Sequence, residues 1–250
     1  MNSMTKRLLS VATLTLAIAL PSHAETYEAG STPTGVPFTF LNTKTGEVQG
    51  VMVDLVQEIA KDQGDTINVK GMGFSTLIPS LSTGKLDIIA AALGITEKRK
   101  EVVDYTQPVY SYGEAVFVSA DDTQAYNSLE DLKGEVIGVQ SGTVYVDPMR
   151  DTGLFSDIKI YDSLANIMRD VKLGRIKAGV GDFPIVAYQV NHGGQDGVRI
   201  IEGYEPVVEV KIAMAVQKGN DVLLEKLNSS ITKLKENGVY DSILTKWGLK

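Results

Sequence analysis

Thr96 and Arg99 are the residues whose types and spacing point most directly to chemistry. Thr96 stands between an apolar run and the charged segment 97–100, a position that favours it as the N-cap of a helix. Free N–H groups at a helix start attract anions, and the guanidinium of Arg99, one turn further on, can donate two hydrogen bonds to one carboxylate. The pair predicts a carboxylate clamp, although an ordinary capped helix with a solvated arginine would have the same pattern.

Two later segments place polar groups after strand-like runs. The small residues 141–143, Ser-Gly-Thr, follow the run 135–140 and form either a weak anion-binding loop or only a turn. Asp182 follows the run 176–180 and precedes the Phe-Pro pair at 183–184, so it is suited to cap a helix. A carboxylate has spare lone pairs, so capping would leave Asp182 able to bind a ligand as well.

The elements that position these residues alternate along the chain. Periodic apolar positions predict helices at 51–63, 164–171, 221–236 and 239–247, with a shorter one at 77–81. Strand-like runs predict strands at 26–31, 66–70, 86–92, 135–140, 176–180 and 207–217. Alternating strands and helices predict a mainly parallel α/β fold.

One part of this pattern occurs twice. Residues 77–86 align without gaps to residues 167–176, and both have the order helix, Gly, basic residue, buried strand. The repeat indicates two similar lobes, each with its own sheet, with crossings near 113–119 and 207–214. Any αβ unit can also produce such a match by chance.

The N-terminus has the features of a secretory signal. Lys6 and Arg7 precede an apolar run at 8–20, and the sequence Ser-His-Ala at 22–24 resembles a signal-peptidase site. The apolar run is too short to span a membrane. We expect residues 1–24 to be removed as a signal peptide, which predicts a soluble periplasmic protein that begins at Glu25.

Composition restricts the remaining functions. Removal of Lys6 and Arg7 takes the formal net charge from −7 to −9, and an acidic chain without a basic cluster argues against nucleic acid and anionic membrane partners. The chain has no Cys, and His192 would be the single histidine left after cleavage. This argues against Cys–His and most Ser–His–Asp catalysis, and no metal-ligand or dinucleotide motif is present. We therefore expect no cofactor and no metal.

Short motifs run along almost the whole chain. The densest stretch, 77–110, holds GKLD at 84–87 and GITEKR at 94–99. The others are PFTF at 37–40, GVMVDL at 50–55, VQSGT at 139–143, GDFP at 181–184 and WG at 247–248. Together they resemble the bacterial extracellular solute-binding proteins of family 3, the amino-acid receptors of ABC importers. The motif at 50–55 departs from the family pattern at Met52, where relatives usually have an acid.

The resemblance implies a carboxylate site between two lobes. Arg99 and the backbone N–H of Thr96 would bind the α-carboxylate of a ligand from lobe one. The loop that contains Gly142, Thr143 and Val144 would add a backbone N–H from lobe two.

The resemblance also implies contacts for the rest of the ligand. Asp182 would accept from the ammonium group, and the carbonyl of Ala92 would serve as a further acceptor. Relatives often carry Ser or Thr at the positions of Ala92 and Gly94, so two hydroxyls are absent from this head-group site. Phe74 would pack on the ligand side chain, unless it is only a core residue.

The function implied is that of a periplasmic binding protein with a type II-like fold, two α/β lobes joined by crossing strands. Lobe one is predicted at 25–112 plus 213–250, and lobe two at 113–212. The protein, expected to be a monomer, would capture a small amino acid or related amino-carboxylate and deliver it to the permease of an ABC importer in the inner membrane. The alternatives are a dehydratase of cyclic carboxylic acids on the same fold and a receptor that presents ligand to a chemosensor. We expect no enzyme activity.

Overall fold

The structure is a computed structural model that describes residues 24–192 and 197–250. The predicted signal peptide lies outside the described residues, apart from Ala24. Within the described part of the chain, no helix is long and apolar enough to cross a membrane.

The order of the elements confirms the alternation predicted from the sequence. The strands are β1 Thr26–Ser31, β2 Thr34–Gly35, β3 Thr39–Leu41, β4 Val48–Gln49, β5 Thr66–Gly71, β6 Ile88–Gly94, β7 Val103–Tyr105, β8 Tyr110–Ser119, β9 Val136–Gln140, β10 Asp157–Tyr161, β11 Ala178–Asp182, β12 Val198–Ile200 and β13 Glu209–Gln217. The helices are α1 Val51–Gln63, α2 Leu77–Ser82, α3 Glu97–Lys100, α4 Val146–Asp151, α5 Leu164–Lys172, α6 Phe183–His192, α7 Asp221–Glu236 and α8 Val239–Lys246. Short 3-10 helices lie at Phe74–Thr76 and Leu129–Leu132.

Two groups of parallel strands are joined through two antiparallel ones. The sheet order is β10-β9-β11-β8-β13-β6-β1-β5, with β1, β5 and β6 parallel on one side and β9, β10 and β11 parallel on the other. Residues 110–113 of β8 pair with residues 209–212 of β13, and residues 114–118 of β8 pair with β11. The single strand β8 therefore passes from one group to the other, and β13 lies beside it. This is the predicted arrangement of two α/β lobes with crossing strands.

Helix α1 illustrates how the sequence determines an element. Its predicted apolar stripe, formed by Leu55, Val56, Ile59 and Ala60, is at most 4% exposed. Gly64 ends the helix in the left-handed conformation at φ 74°, where its N–H donates to the carbonyls of Ala60 and Lys61.

The family-like motif at the start of α1 fastens the C-terminus of the chain. The Asp54 carboxylate accepts from the indole Nε1 of Trp247 at 2.8 Å and from Lys246 Nζ at 2.7 Å. Met52, which replaces the acid of the family pattern, is fully buried. The contact between α1 and the C-terminus therefore does not need an acid at this position.

The two copies of the internal repeat form equivalent units. Helix α2 and helix α5 each end near a glycine in the left-handed region, Gly84 at φ 71° and Gly174 at φ 65°. A buried strand follows each turn, β6 in the first unit and β11 in the second. The repeat thus delivers Ala92 and Gly94 from one side of the sheet and Asp182 from the other.

Candidate functional site

The ends of β6 and β11 face a common cavity. One side is lined from the N-terminal half of the chain by Thr32, Thr34, Gly35, Thr39, Phe74 and Ala92. The other side is lined by Gln140, Leu164, Gly181, Asp182 and Ile185. The cavity offers about 30 Å³ to the centres of water molecules, enough for about two of them. An amino acid needs more space, so the two sides must move apart to admit one.

Arg99 connects the two lobes beside this cavity. Its Nη1 donates to the Gly94 carbonyl at 2.5 Å, and its Nη2 donates to the Gly142 carbonyl at 2.6 Å. The side chain of Thr96 accepts from the backbone N–H of Arg99 at 3.2 Å, which confirms the predicted N-cap, although α3 is only four residues long. The guanidinium therefore presents its paired donors to oxygen atoms of both lobes.

Two glycines allow the close approach of the lobes around Arg99. A Cβ on Gly94 would lie 2.7 Å from Val144 Cγ1 and 2.9 Å from Val210 Cγ1. Gly142 has φ +75°, and a Cβ there would lie 3.1 Å from the Cα of Ser75. A side chain at the position of Gly94 would not fit in the packing without movement of Val144 and Val210.

Asp182 supplies the negative charge of the site. Its Oδ1 accepts from the hydroxyl of Tyr145, which is fully buried, at 2.6 Å. Burial raises the pKa of Asp182 to about 6, and the hydroxyls of Tyr145 and Tyr112 and the charge of Arg99 oppose that rise. The Tyr112 hydroxyl is itself buried and has no partner of good hydrogen-bond geometry within the described chain. A cation placed beside Asp182 would stabilise its ionised form.

The backbone of β6 offers an acceptor near the same place. β13 pairs with β6 at Ala213–Leu93 and again at Ala215–Ile89. Between these two pairs, β13 has the single residue Met214, whereas β6 has the three residues 90–92. This irregularity interrupts the ladder at Ala92, whose side chain lines the cavity. The strand thus reaches the cavity with carbonyl groups outside the regular ladder.

A wider groove of about 640 Å³ lies elsewhere on the molecule, lined mainly by aromatic and small residues such as Tyr110, Phe183, Tyr188 and Trp247. Its described lining contains no Asp, Glu, Lys or Arg. The small cavity, which has both a cation and an anion at hand, is therefore the stronger candidate for a charged ligand.

Comparison with known proteins agrees with this geometry. A family model of the bacterial extracellular solute-binding proteins, family 3, matches residues 27–250. The chain belongs to this family. The ABC transporter arginine-binding protein 1 of Escherichia coli K12 is 31% identical over 227 residues, which cover 90% of this chain and 92% of the relative.

Solved structures of this solute-binding family have the same fold. An ancestral arginine-binding protein bound to glutamine has a TM-score of 0.82 at 34% identity and covers 90% of this chain and 98% of its own. An ancestral amino acid-binding protein, a precursor of cyclohexadienyl dehydratase, has a TM-score of 0.79 at 28% identity. The match covers 89% of this chain and 95% of the ancestral protein. The predicted family and the two-lobed fold class are confirmed.

The residues predicted for the site occupy three kinds of position in this solute-binding protein. Phe74, Ala92 and Asp182 line the cavity. Gly94 and Gly142 bind the guanidinium of Arg99 through their carbonyl groups, and Val144 lies against Gly94. Thr96 supports the backbone of Arg99, and the hydroxyl and N–H of Thr143 donate to the Gln140 carbonyl at 2.8 and 3.3 Å.

Several residues of the site were not among the sequence predictions. Tyr145 and Tyr112 lie behind the cavity and are the most consequential, because their hydroxyls lie close to Asp182. Thr32, Thr39 and Gln140 are the others that contribute polar groups. One feature of the sequence could have indicated Tyr145, which is a large aromatic residue two positions after the small-residue loop 141–143.

Proposed function

We propose that this protein binds a small amino acid between its lobes in the periplasm, as a monomer, and delivers it to the permease of an ABC importer. The observation that carries the proposal is that Asp182 lines the small cavity between the lobes and that Arg99 lies close enough for its charge to influence that carboxyl group. An α-amino acid carries the complementary pair of charges on adjacent atoms. The removal of residues 1–24 on export belongs to the same proposal.

The charged groups of the ligand would take the place of protein groups that bind the same side chains in this structure. The ligand carboxylate would replace the Gly142 carbonyl as the partner of Arg99 Nη2, and the backbone N–H of Thr96 would add a hydrogen bond. The ammonium group would donate to Asp182 and to the Ala92 carbonyl. The loop with Gly142, Thr143 and Val144 would close over the carboxylate.

Closure couples binding to recognition by the permease. Arg99 and Asp182 lie on segments from different lobes, so one ligand satisfies both only when the lobes are together. A ligand that binds the closed form more tightly shifts the population toward it. The permease would recognise the closed form.

The family is one of solute-binding proteins, but the raised pKa of Asp182 would also suit a second function, that of a dehydratase. The pKa of Asp182, raised to about 6, lies in the range of a general acid. A dehydratase would need such a group beside a cyclic carboxylic acid. Incubation with cyclohexadienyl acids, followed by detection of aromatic products, distinguishes the two functions, and we expect no turnover.

The proposal is tested by titration calorimetry, with ligands first identified by native mass spectrometry of the purified protein. Arg99→Ala should weaken amino-acid binding by about 2–5 kcal/mol, because it removes a charge-assisted pair in a closed site. Arg99→Lys should restore only part of the loss, since an ammonium cannot make the planar paired contact.

Lys100→Ala is the matched control, because Lys100 is exposed on the same short helix and pairs with Glu97 at 2.7 Å. It should leave affinity unchanged. A folded Arg99→Ala protein with the affinity of the wild type would contradict the proposal.

A further inference from the structure

The part of the cavity beyond the head-group residues is electrically neutral. Its remaining polar side chains are those of Thr32, Thr34, Thr39 and Gln140. Its apolar side chains are those of Phe74, Leu164 and Ile185. Among the described lining residues, Asp182 is the only one with a formal charge, and Arg99 beside it is the nearby cation.

Two of these neutral polar groups bind each other, and a third binds a backbone carbonyl outside the cavity lining. The hydroxyls of Thr32 and Thr39 share a hydrogen bond of 2.6 Å, and these residues are only 7% and 1% exposed. Gln140 Nε2 donates to the Asp162 carbonyl at 3.2 Å, which leaves the Gln140 Oε1 as an acceptor. Single donors and acceptors of this kind can satisfy a hydroxyl or an amide.

The same groups cannot compensate a second charge on the ligand. A buried ion is costly unless an opposite charge faces it, and neutral hydroxyls recover only part of that cost. A guanidinium or ammonium at the end of a ligand side chain would find Asp182 already paired with the α-ammonium. A side-chain carboxylate would likewise find Arg99 already paired with the α-carboxylate.

We infer that the site selects α-amino acids with uncharged side chains and discriminates against arginine, lysine, aspartate and glutamate. The inference rests on the proposed function, since it assigns Arg99 and Asp182 to the head group. Leu164 and Ile185, 5% and 8% exposed, supply apolar surface for the side chain, and the threonine pair supplies hydrogen bonds for an amide or hydroxyl.

Calorimetry with isosteric pairs tests the inference on the wild-type protein. The pairs are asparagine with aspartate, glutamine with glutamate, and citrulline with arginine, which differ in charge and hardly in shape. In the pair with the tightest binder, the neutral member should bind at least 100-fold more tightly than the charged one. Equal or tighter binding of the charged member would overturn the inference.

A carboxylate introduced into the cavity lining tests whether the neutrality of the lining determines the selectivity. Thr34 lines the cavity but is exposed, so Thr34→Asp should be tolerated by the fold, and Thr34→Asn is its neutral match. The ratio of arginine to citrulline affinity should rise at least tenfold in Thr34→Asp relative to Thr34→Asn. An unchanged ratio would contradict a selectivity set by the neutrality of the lining.

Different results would contradict the head-group assignment and the selectivity for neutral side chains. If charged amino acids bind best and Arg99→Ala abolishes that binding, the head-group proposal stands and the inference of neutral selectivity is wrong. If no amino acid gives heat in calorimetry or a thermal shift, the proposed function is wrong, and the selectivity inference falls with it.

Discussion

At the scale of single residues, Asp182 determines how the site responds to pH. Its pKa is raised to about 6, chiefly by burial. An ammonium ligand needs the ionised carboxylate, so binding in acid must first displace a proton. Affinity is therefore complete above the raised pKa and is lost as the pH falls through it.

The expected change is about tenfold between pH 7 and pH 5, the amount that one proton of pKa about 6 produces. Calorimetry at pH 5, 6, 7 and 8 measures it directly. Asp182→Asn should bind weakly at every pH with a flat profile. A wild-type dissociation constant that stays constant from pH 8 to pH 5 would show that Asp182 does not meet the ligand.

The same residue should reduce the stability of the protein at neutral pH when no amino acid is added. The folded pKa lies above the ordinary value of 3.8, so the folded state binds the proton more tightly than the unfolded state. Stability is then highest below pH 4 with respect to this group and decreases as the pH rises through 6.

Asp182→Asn keeps an acceptor for Tyr145 and removes the charge, so it should raise the free energy of unfolding at pH 7 by about 1–3 kcal/mol. The gain should disappear at pH 4. Urea denaturation at both pH values provides the measurement, and the exposed Asp157→Asn serves as control. A variant that is less stable than the wild type at pH 7 would contradict the argument.

At the scale of elements, much of the fold was predictable because it depends on local pattern. The bounds of β1 and α1 match their predictions, and Thr96 and Gly64 act as the caps that their types suggest. Burial of the whole of β6 follows from its unbroken apolar run. These features need no knowledge of distant contacts.

The main contacts of the site that escaped prediction depend on long-range approach. The Gly94 carbonyl that binds Arg99 is local, but the second partner, the Gly142 carbonyl, comes from 43 residues away in sequence. Tyr145 meets Asp182 across 37 residues. Periodicity and spacing carry no information about such pairs, whereas the family resemblance indicated Arg99, Asp182 and their neighbours without giving their mutual geometry.

The crossing region contains a buried carboxylate that should be important for stability. Glu114, 1% exposed, lies on β8 where the pairing changes from β13 to β11. It accepts from the Tyr204 hydroxyl at 2.5 Å and from the N–H groups of Val207 and Val208 at 2.8 and 3.0 Å. It thereby fastens the segment that leads into β13.

Glu114→Ala leaves these three donors without their acceptor, so we expect a loss of about 3 kcal/mol or more in the free energy of unfolding. Glu114→Gln keeps one acceptor and should lose about half as much. Urea denaturation measures both, with exposed Glu209→Gln as the control on β13. A Glu114→Ala protein as stable as the wild type would exclude this role.

At the scale of the whole molecule, ligand entry requires a conformation more open than this structure. The cavity of about 30 Å³ is too small for an amino acid, and the hydrogen bond from Arg99 to the Gly142 carbonyl holds the two lobes together beside it. We expect small-angle scattering to give a larger radius of gyration without amino acid than with it. We also expect a stabilisation of about 2.7 kcal/mol at free ligand 100 times Kd. No compaction and no thermal protection by a bound amino acid would argue against closure.

The central claim is that Arg99 and Asp182 hold the two charges of one α-amino acid. The most direct measurement is a calorimetric cycle with the preferred amino acid and its des-amino analogue on the wild type and on Asp182→Asn. We expect the wild type to bind the des-amino compound about 100-fold or more weakly than the amino acid, and we expect the variant to discriminate far less between the two. If the wild type binds both compounds equally, or if Asp182→Asn leaves amino-acid affinity unchanged, Asp182 does not bind the ammonium group and the central claim is wrong.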